Sequence, residues 1–181
     1  MALTATMRRF EVALADSDRG LYDNLDLRVA QHPSESDRYL VARMVARTLE
    51  HGEGVDWSKG LAADDEPALW QRDLRGDLQA WIEVGSPAPA RLHKAKKAVK
   101  RVVIYAWNRV DALAASLVEE RVYKAEEIEL FELDAAVLDA VAATLARTNA
   151  WDVAITGGTI YLSIGGASFE LSPRRVRVGD A

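Results

Sequence analysis

The chain has 181 residues, 49% of them hydrophobic and 28% charged, the proportions of an ordinary globular protein long enough to bury a sizeable core. It contains no cysteine, which excludes a disulfide framework, a thiol nucleophile and Cys-ligated zinc or iron–sulfur chemistry, and suits a cytoplasmic protein. Its formal net charge of −5 argues against a protein that merely coats nucleic acid, but leaves room for an acidic enzyme with one local basic patch.

Met1 to Arg9 carries two arginines with no apolar segment behind them, so no secretory leader is expected. No apolar run reaches the roughly 18 residues of a membrane-spanning helix, so no membrane association is expected. Phe10, Val12 and Leu14 alternate with polar or small residues, as do Leu25, Leu27 and Val29. Both read as strands with one apolar face, joined by a turn at Asp16 to Gly20. Within His32-Pro33-Ser34-Glu35, Ser34 is placed to cap a helix. That helix buries Leu40, Val41, Met44, Val45 and Leu49, and Gly52 stops it.

Val55 to Leu61 reads as a short strand, Asp64-Asp65-Glu66-Pro67 as a turn, and Ala68 to Gln71 as one helical turn. Leu78 to Val84 reads as a central strand, with Leu78, Ala80, Ile82 and Val84 on one face and Gln79, Trp81 and Glu83 on the other. A helix opens at Ser86-Pro87 and runs to about Lys100. An apolar strand follows at Val102 to Trp107, then a helix over Val110 to Val118. Ile128 to Leu133 is a strand, and Asp134 caps a helix to about Arg147 with a core stripe of Ala135, Leu138, Val141 and Leu145. The tail is a β-meander over 151–172, turning at Gly157-Gly158 and Gly165-Gly166, where glycine supplies positive φ.

These elements predict one α/β (α+β) domain over 1–181: a mixed β-sheet flanked by helices and ending in the C-terminal meander. An N-terminal hairpin occupies 1–30, and a core bearing the candidate chemistry occupies 31–107. No glycine-rich phosphate loop joins a strand to a helix.

Histidine chemistry is not favoured. His32 ends a strand, His51 sits near a helix C-terminus, where its charge suits the dipole, and His93 lies on a basic helix. None has a partner histidine at metal-ligand spacing. Asp65 and Glu83 carry more. Two carboxylates at one point repel unless a cation or proton joins them. Mg²⁺ accepts such a pair, completing its shell with water and phosphate oxygens. It would polarise a phosphodiester and acidify an attacking water, while a nearby lysine stabilises the developing charge. The alternative is structural: Asp64, Asp65 and Glu66 cap the short helical turn, and Glu83 pairs with a lysine.

Several stretches together carry a family resemblance. They are His32-Pro33-Ser34-Glu35, Lys59-Gly60-Leu61, Asp64-Asp65-Glu66-Pro67 with Trp70, Trp81-Ile82-Glu83-Val84-Gly85, and the Lys94 helix leading into Val102-Val103-Ile104-Tyr105. Over nearly its whole length the chain resembles the YaeQ family, whose members look like variants of the PD-(D/E)xK nucleases, metal-dependent phosphodiesterases. The resemblance implies a nuclease-like core in which Asp65 is the first acid, Glu83 the second, and Glu35 the acid of the first core helix. It implies Mg²⁺, or Mn²⁺, held by Asp65 and Glu83. Two departures stand out. Pro67 follows the acids instead of preceding Asp65, and Gly85 stands where the motif places its lysine. Lys94 on the following helix is the first candidate to replace that lysine, and Lys59 the second.

Arg91, Lys94, Lys96, Lys97, Lys100 and Arg101 follow one another without an acid. Helical spacing brings Lys94, Lys97 and Arg101 near one face, with Lys100 beside them. Arg91, Lys94, Lys97, Lys100 and Arg101 are thus either a surface for a nucleic-acid backbone or a solvated helix face. With Gly85 in the lysine position, a non-catalytic module on a degenerate nuclease fold, binding nucleic acid or a protein partner, is the competing expectation. The five tryptophans read as packing residues, with Trp81 bordering a cleft beside Glu83.

Overall fold

In the computed structural model, residues 4–59 and 65–179 are described. The element order is β1 (Thr6–Asp16), β2 (Leu21–Gln31), α1 (Asp37–Leu49), β3 (Val55–Trp57), β4 (Leu69–Arg72), β5 (Leu78–Val84), α2 (Pro89–Ala98), β6 (Arg101–Ala106), α3 (Val110–Glu119), β7 (Glu129–Glu132), α4 (Ala135–Ala142), β8 (Thr148–Thr156), β9 (Thr159–Ile164), β10 (Ala167–Leu171) and β11 (Arg174–Val176). The mixed α+β class is found, with the strands in two sheets. Their orders are β10-β9-β8-β1-β2 and β11-β7-β6-β5-β4-β3. The chain divides into two compact units. One comprises residues 1–41 and 134–173, the other 42–133 and 174–181.

In the first unit the N-terminal hairpin pairs from Thr6 opposite Gln31 to Asp16 opposite Leu21. The C-terminal meander joins it through a parallel pairing of β1 with β8, Arg9 opposite Thr148 to Asp16 opposite Ile155. Strict alternation buries Phe10, Val12 and Leu14 of β1 with Trp151, Val153 and Ile155 of β8. Phe10 meets Trp151 edge to face, with ring centroids 5.2 Å apart, a favoured aromatic geometry. Gly157 and Gly158 turn the β8–β9 hairpin at φ of 58° and 74°. Both of their N–H groups donate to the Asp18 carboxylate, at 2.7 and 2.8 Å. These two bonds hold the Asp18 pKa below the usual carboxylate range.

In the second unit β5, β6 and β7 are parallel, while β3, β4 and β5 form an antiparallel meander. One sheet face packs on α2 and α3 through Leu92, Ala95, Val102, Ile104, Val110 and Leu117. On the opposite face Tyr105 stacks on Phe131, centroids 5.4 Å apart. Tyr105 also donates to Glu50 Oε1, just beyond α1, at 2.6 Å. Arg101 bridges Glu50 and Glu129 with N–O distances of 2.6 to 3.1 Å. Among the described residues no helix is long and apolar enough to cross a membrane.

Several boundaries differ from the sequence expectation, each for a local reason. Ala68 to Gln71 is no helical turn: Leu69–Arg72 is a strand, and pairing on both sides overrides the short helical signal. The helix cap is Ser36, not Ser34. Ser36 Oγ accepts from Tyr39 N at 3.2 Å, while Ser34 Oγ pairs with His32 Nδ1 at 2.6 Å. The basic helix starts at Pro89 and ends at Ala98, so Arg101 lies on a strand. The helix capped by Asp134 ends at Ala142, short of Arg147. Strand β3 stops at Trp57, and the remainder of the expected strand, like Asp64, reaches residues outside those described.

Gly54 is tightly constrained. Its φ is +76°, and a Cβ there would lie 1.8 Å from the Arg72 carbonyl oxygen, beside the bond from Arg72 N to Gly54 O. Gly20, at φ +65°, faces open space. Gly54→Ala is expected to lower the unfolding free energy by about 3 kcal/mol or more, and Gly20→Ala by about 1 kcal/mol. Urea denaturation of both variants checks this, and equal losses would contradict it.

Candidate functional site

Glu83 is the penultimate residue of β5, on the face that meets α2. Its side chain is only 5% exposed. An isolated ionised carboxylate cannot be buried without a partner, and two donors reach its Oε1. Trp81 Nε1 donates at 2.6 Å from the same strand face, and Arg91 Nε at 2.5 Å from the first turn of α2. The Arg91 guanidinium also lies over the Trp81 ring, 5.6 Å from its centroid. Burial raises the Glu83 pKa above the ordinary carboxylate value, and the bonds from Arg91 and Trp81 oppose that rise.

The second nitrogen arm of Arg91 donates to the Glu66 carbonyl. One guanidinium therefore holds both the strand acid and the turn that carries Asp65. Pairing supplies the same proximity. Leu69 of β4 lies opposite Ile82 of β5, so the residues before Leu69 run toward the C-terminal end of β5. Asp65 itself is exposed. Glu66 Oε2 accepts from Lys59 N at 2.9 Å, and Ser58 Oγ donates to the Pro67 carbonyl. Lys59, the second lysine candidate, thus sits beside the same turn.

Lys94 is exposed on α2, one helical turn beyond Arg91. Glu83 meets Arg91 instead, a cation that the sequence pattern placed only in the basic stripe. The signal for the pair is an arginine eight residues after the acid, which a motif calling for lysine does not single out. Gly85 has φ of +93° and donates its N–H to the Tyr105 carbonyl at 2.8 Å. An L side chain at that position would be backbone-strained.

Glu35 stands two residues before α1, not on the helix. It is buried, and its Oε2 accepts from His32 N at 3.1 Å. It belongs to the first unit, whereas Asp65 and Glu83 belong to the second. The basic stripe is divided. Arg91 and Arg101 are ion-paired, and Lys96 is buried on Glu127 at 2.8 Å. Lys94, Lys97 and Lys100 remain exposed. The histidines serve local structure: His93 Nδ1 accepts from Tyr123 N, and His51 Nδ1 lies 2.7 Å from Arg47. Among the described residues, no group of three His, Asp or Glu side chains gathers at metal-ligand spacing.

The fold and the site define a class: an α+β protein with a carboxylate–arginine pair at the end of a central parallel strand. The chain belongs to the YaeQ protein family, which it matches over residues 1–173. It is 31% identical over 164 residues to the uncharacterised protein YaeQ of Escherichia coli (strain K12), covering 90% of this chain and 91% of that one. The Salmonella typhi protein of the same name is 30% identical over the same share of each chain. Among solved structures, the YaeQ protein of Xanthomonas axonopodis pv. citri superimposes with a TM-score of 0.87 at 33% identity, covering 97% of this chain and 99% of that one. The Pseudomonas syringae YaeQ protein gives 0.88 at 28% identity, with 95% and 96% covered.

Two outcomes follow from the pair. Arg91→Met leaves Glu83 buried without its cation and is expected to lower stability by about 3 kcal/mol, whereas exposed Lys94→Met changes it by less than about 0.5 kcal/mol. Equal effects in chemical denaturation would contradict the assignment. The second outcome concerns pH. Because the folded-state pKa of Glu83 is raised, its contribution to stability is fully present below the unfolded value and is lost as pH rises through the folded value. The stability of Glu83→Gln relative to the native chain should therefore increase from acidic to neutral pH. A flat difference would contradict the shift.

Proposed function

We propose that the C-terminal end of β5 is a metal-dependent phosphodiester-hydrolysing site of the PD-(D/E)xK type, acting on nucleic acid, with Asp65 and Glu83 as its acids. The observation that carries this reading is the double attachment of Arg91 to the Glu83 carboxylate and to the Glu66 carbonyl, one residue from Asp65. It is supported by the succession β3–β4–β5, α2 and parallel β6, a nuclease-like order in which both acids occupy the expected segments.

The donor chemistry suits a hard cation. Asp65 is exposed, and the Glu83 carboxylate has a second oxygen, Oε2, besides the Oε1 that Trp81 and Arg91 engage. Mg²⁺ or Mn²⁺ held by Asp65 and Glu83 would polarise the phosphodiester and lower the pKa of an attacking water. Trp81 fixes the Glu83 rotamer. Arg91 contributes the positive charge that a lysine two residues after Glu83 would otherwise supply, and its fork is suited to a phosphate as well as to a carboxylate. Lys94 extends that charge along α2, and Lys59 supplies a second cation beside the Asp65 turn.

The test is cleavage of single- and double-stranded DNA and RNA by the pure protein with Mg²⁺ or Mn²⁺. Metal-dependent cleavage is expected, reduced at least about a hundred-fold in Glu83→Ala and in Asp65→Ala, as the removal of a group central to charge stabilisation requires. Equal cleavage by the native protein and Glu83→Ala would overturn the proposal.

A second reading is favoured by one observation: Arg91 already pairs with Glu83, while Gly85 stands where the motif places its lysine. On this reading the same surface binds nucleic acid without cleaving it. Turnover is then absent with either metal, while affinity falls steeply with salt and weakens in a Lys94→Gln/Lys97→Gln variant, with a salt slope smaller by about one for each phosphate that is no longer neutralised. Salt-insensitive binding would point instead to a protein partner.

A further inference from the structure

We propose that the solvent-facing side of the five-stranded sheet is a binding site for a small organic cation, an alkylammonium or guanidinium compound. The proposal is independent of the chemistry at β5. Strand register builds the site in two rows. In the first, Tyr22 on β2 lies opposite Ala15 on β1, Ala15 opposite Ala154 on β8, and Ala154 opposite Tyr161 on β9. In the second, two residues along each strand, Asn24 faces Ala13, Ala13 faces Asp152, and Asp152 faces Ser163.

Neighbouring strands lie about 4.8 Å apart, so the two tyrosines stand about 14 Å apart with an alanine floor between them. The result is a trough of about 540 Å³, within the range of roughly 300–1,000 Å³ typical of small-ligand sites. Both rings are exposed, Tyr22 to 69% and Tyr161 to 44%.

The composition of the trough selects the ligand. Alanine and aspartate are disfavoured in strands, yet four alanine and aspartate side chains form the outward face of the two inner strands there. Asp152 projects from inner strand β8, and among the described residues no lysine or arginine lines the trough. Arg9, further along β1, is already shared by Asp26 and Glu11 at 2.9 Å each. Aromatic faces attract cations through the ring quadrupole, and the Asp152 carboxylate in the same trough adds to that attraction. A phosphate-bearing ligand would be repelled. A neutral ring would gain only the stacking.

The test uses the full chain and isothermal titration with choline and with arginine methyl ester. The control is the neutral isostere of choline, in which carbon replaces the quaternary nitrogen. Saturable binding of a cation is expected, with the isostere at least about ten-fold weaker. Tyr161→Leu and Asp152→Asn should each weaken cation binding about five-fold, Tyr161→Phe should retain it, and Glu83→Gln should leave it unchanged. Thermal unfolding confirms that each variant is folded, and Tyr22→Leu on the edge strand replaces Tyr161→Leu if that variant does not fold. Failure of both cations to bind, equal binding of the neutral isostere, or full cation affinity in Tyr161→Leu and Asp152→Asn would each overturn the proposal.

Discussion

A carboxylate at the end of a central strand has lost most of its water and must be answered by something else. In this chain Arg91 answers Glu83, and much of the local architecture follows from that contact. The pair is not a simple source of stability, because burial raises the Glu83 pKa despite the guanidinium beside it. Desolvation of two charges commonly offsets their attraction, and the cost becomes visible only when one partner is removed. What the pair supplies is position. A planar guanidinium has donors enough for several acceptors in a fixed geometry, and Arg91 uses them to bring strand β5, helix α2 and the Glu66 turn to one point.

A second charged network on the opposite face of the same sheet follows the same principle. Arg101 bridges Glu50 and Glu129, and Tyr105 donates to Glu50. Burial raises the Tyr105 pKa, as do the neighbouring Glu50 charge and the hydrogen bond to it. Its phenol therefore stays protonated and remains a donor. The two networks fix the end of α1 and the start of α2 against strands β5 and β6. This helps explain how short strands such as β6 and β7 can be so specifically placed.

The local elements were legible in the sequence wherever a repeating apolar pattern or a glycine pair dictated them. The N-terminal hairpin, the Asp134 cap and both Gly-Gly turns are such cases. Non-local pairing was not legible. Nothing in the alternation of Phe10, Val12 and Leu14 announces that β1 joins β8 in parallel, about 140 residues away. Without that pairing the strands read as one mixed sheet instead of two. The segment at Ala68 shows the other failure: three of the four residues expected to form a helical turn, Leu69 to Gln71, are held extended by partners on both sides. At the candidate site the two acids and the bordering Trp81 are marked by residue type and strand face. Their cation is not, because nothing in the sequence pattern singles out an arginine eight residues after the acid. The stripe ending in Arg101 failed because a helix stopping at Ala98 cannot carry the spacing further.

The claim on which the rest depends is that Arg91 and Glu83 act as one unit. A double-mutant cycle with Arg91→Met, Glu83→Gln and the combined variant, read by chemical denaturation at neutral pH, measures this directly. A coupling energy above about 1.5 kcal/mol is predicted, with the double variant less destabilised than the sum of the single ones. Additive losses, with coupling near zero, would contradict the account.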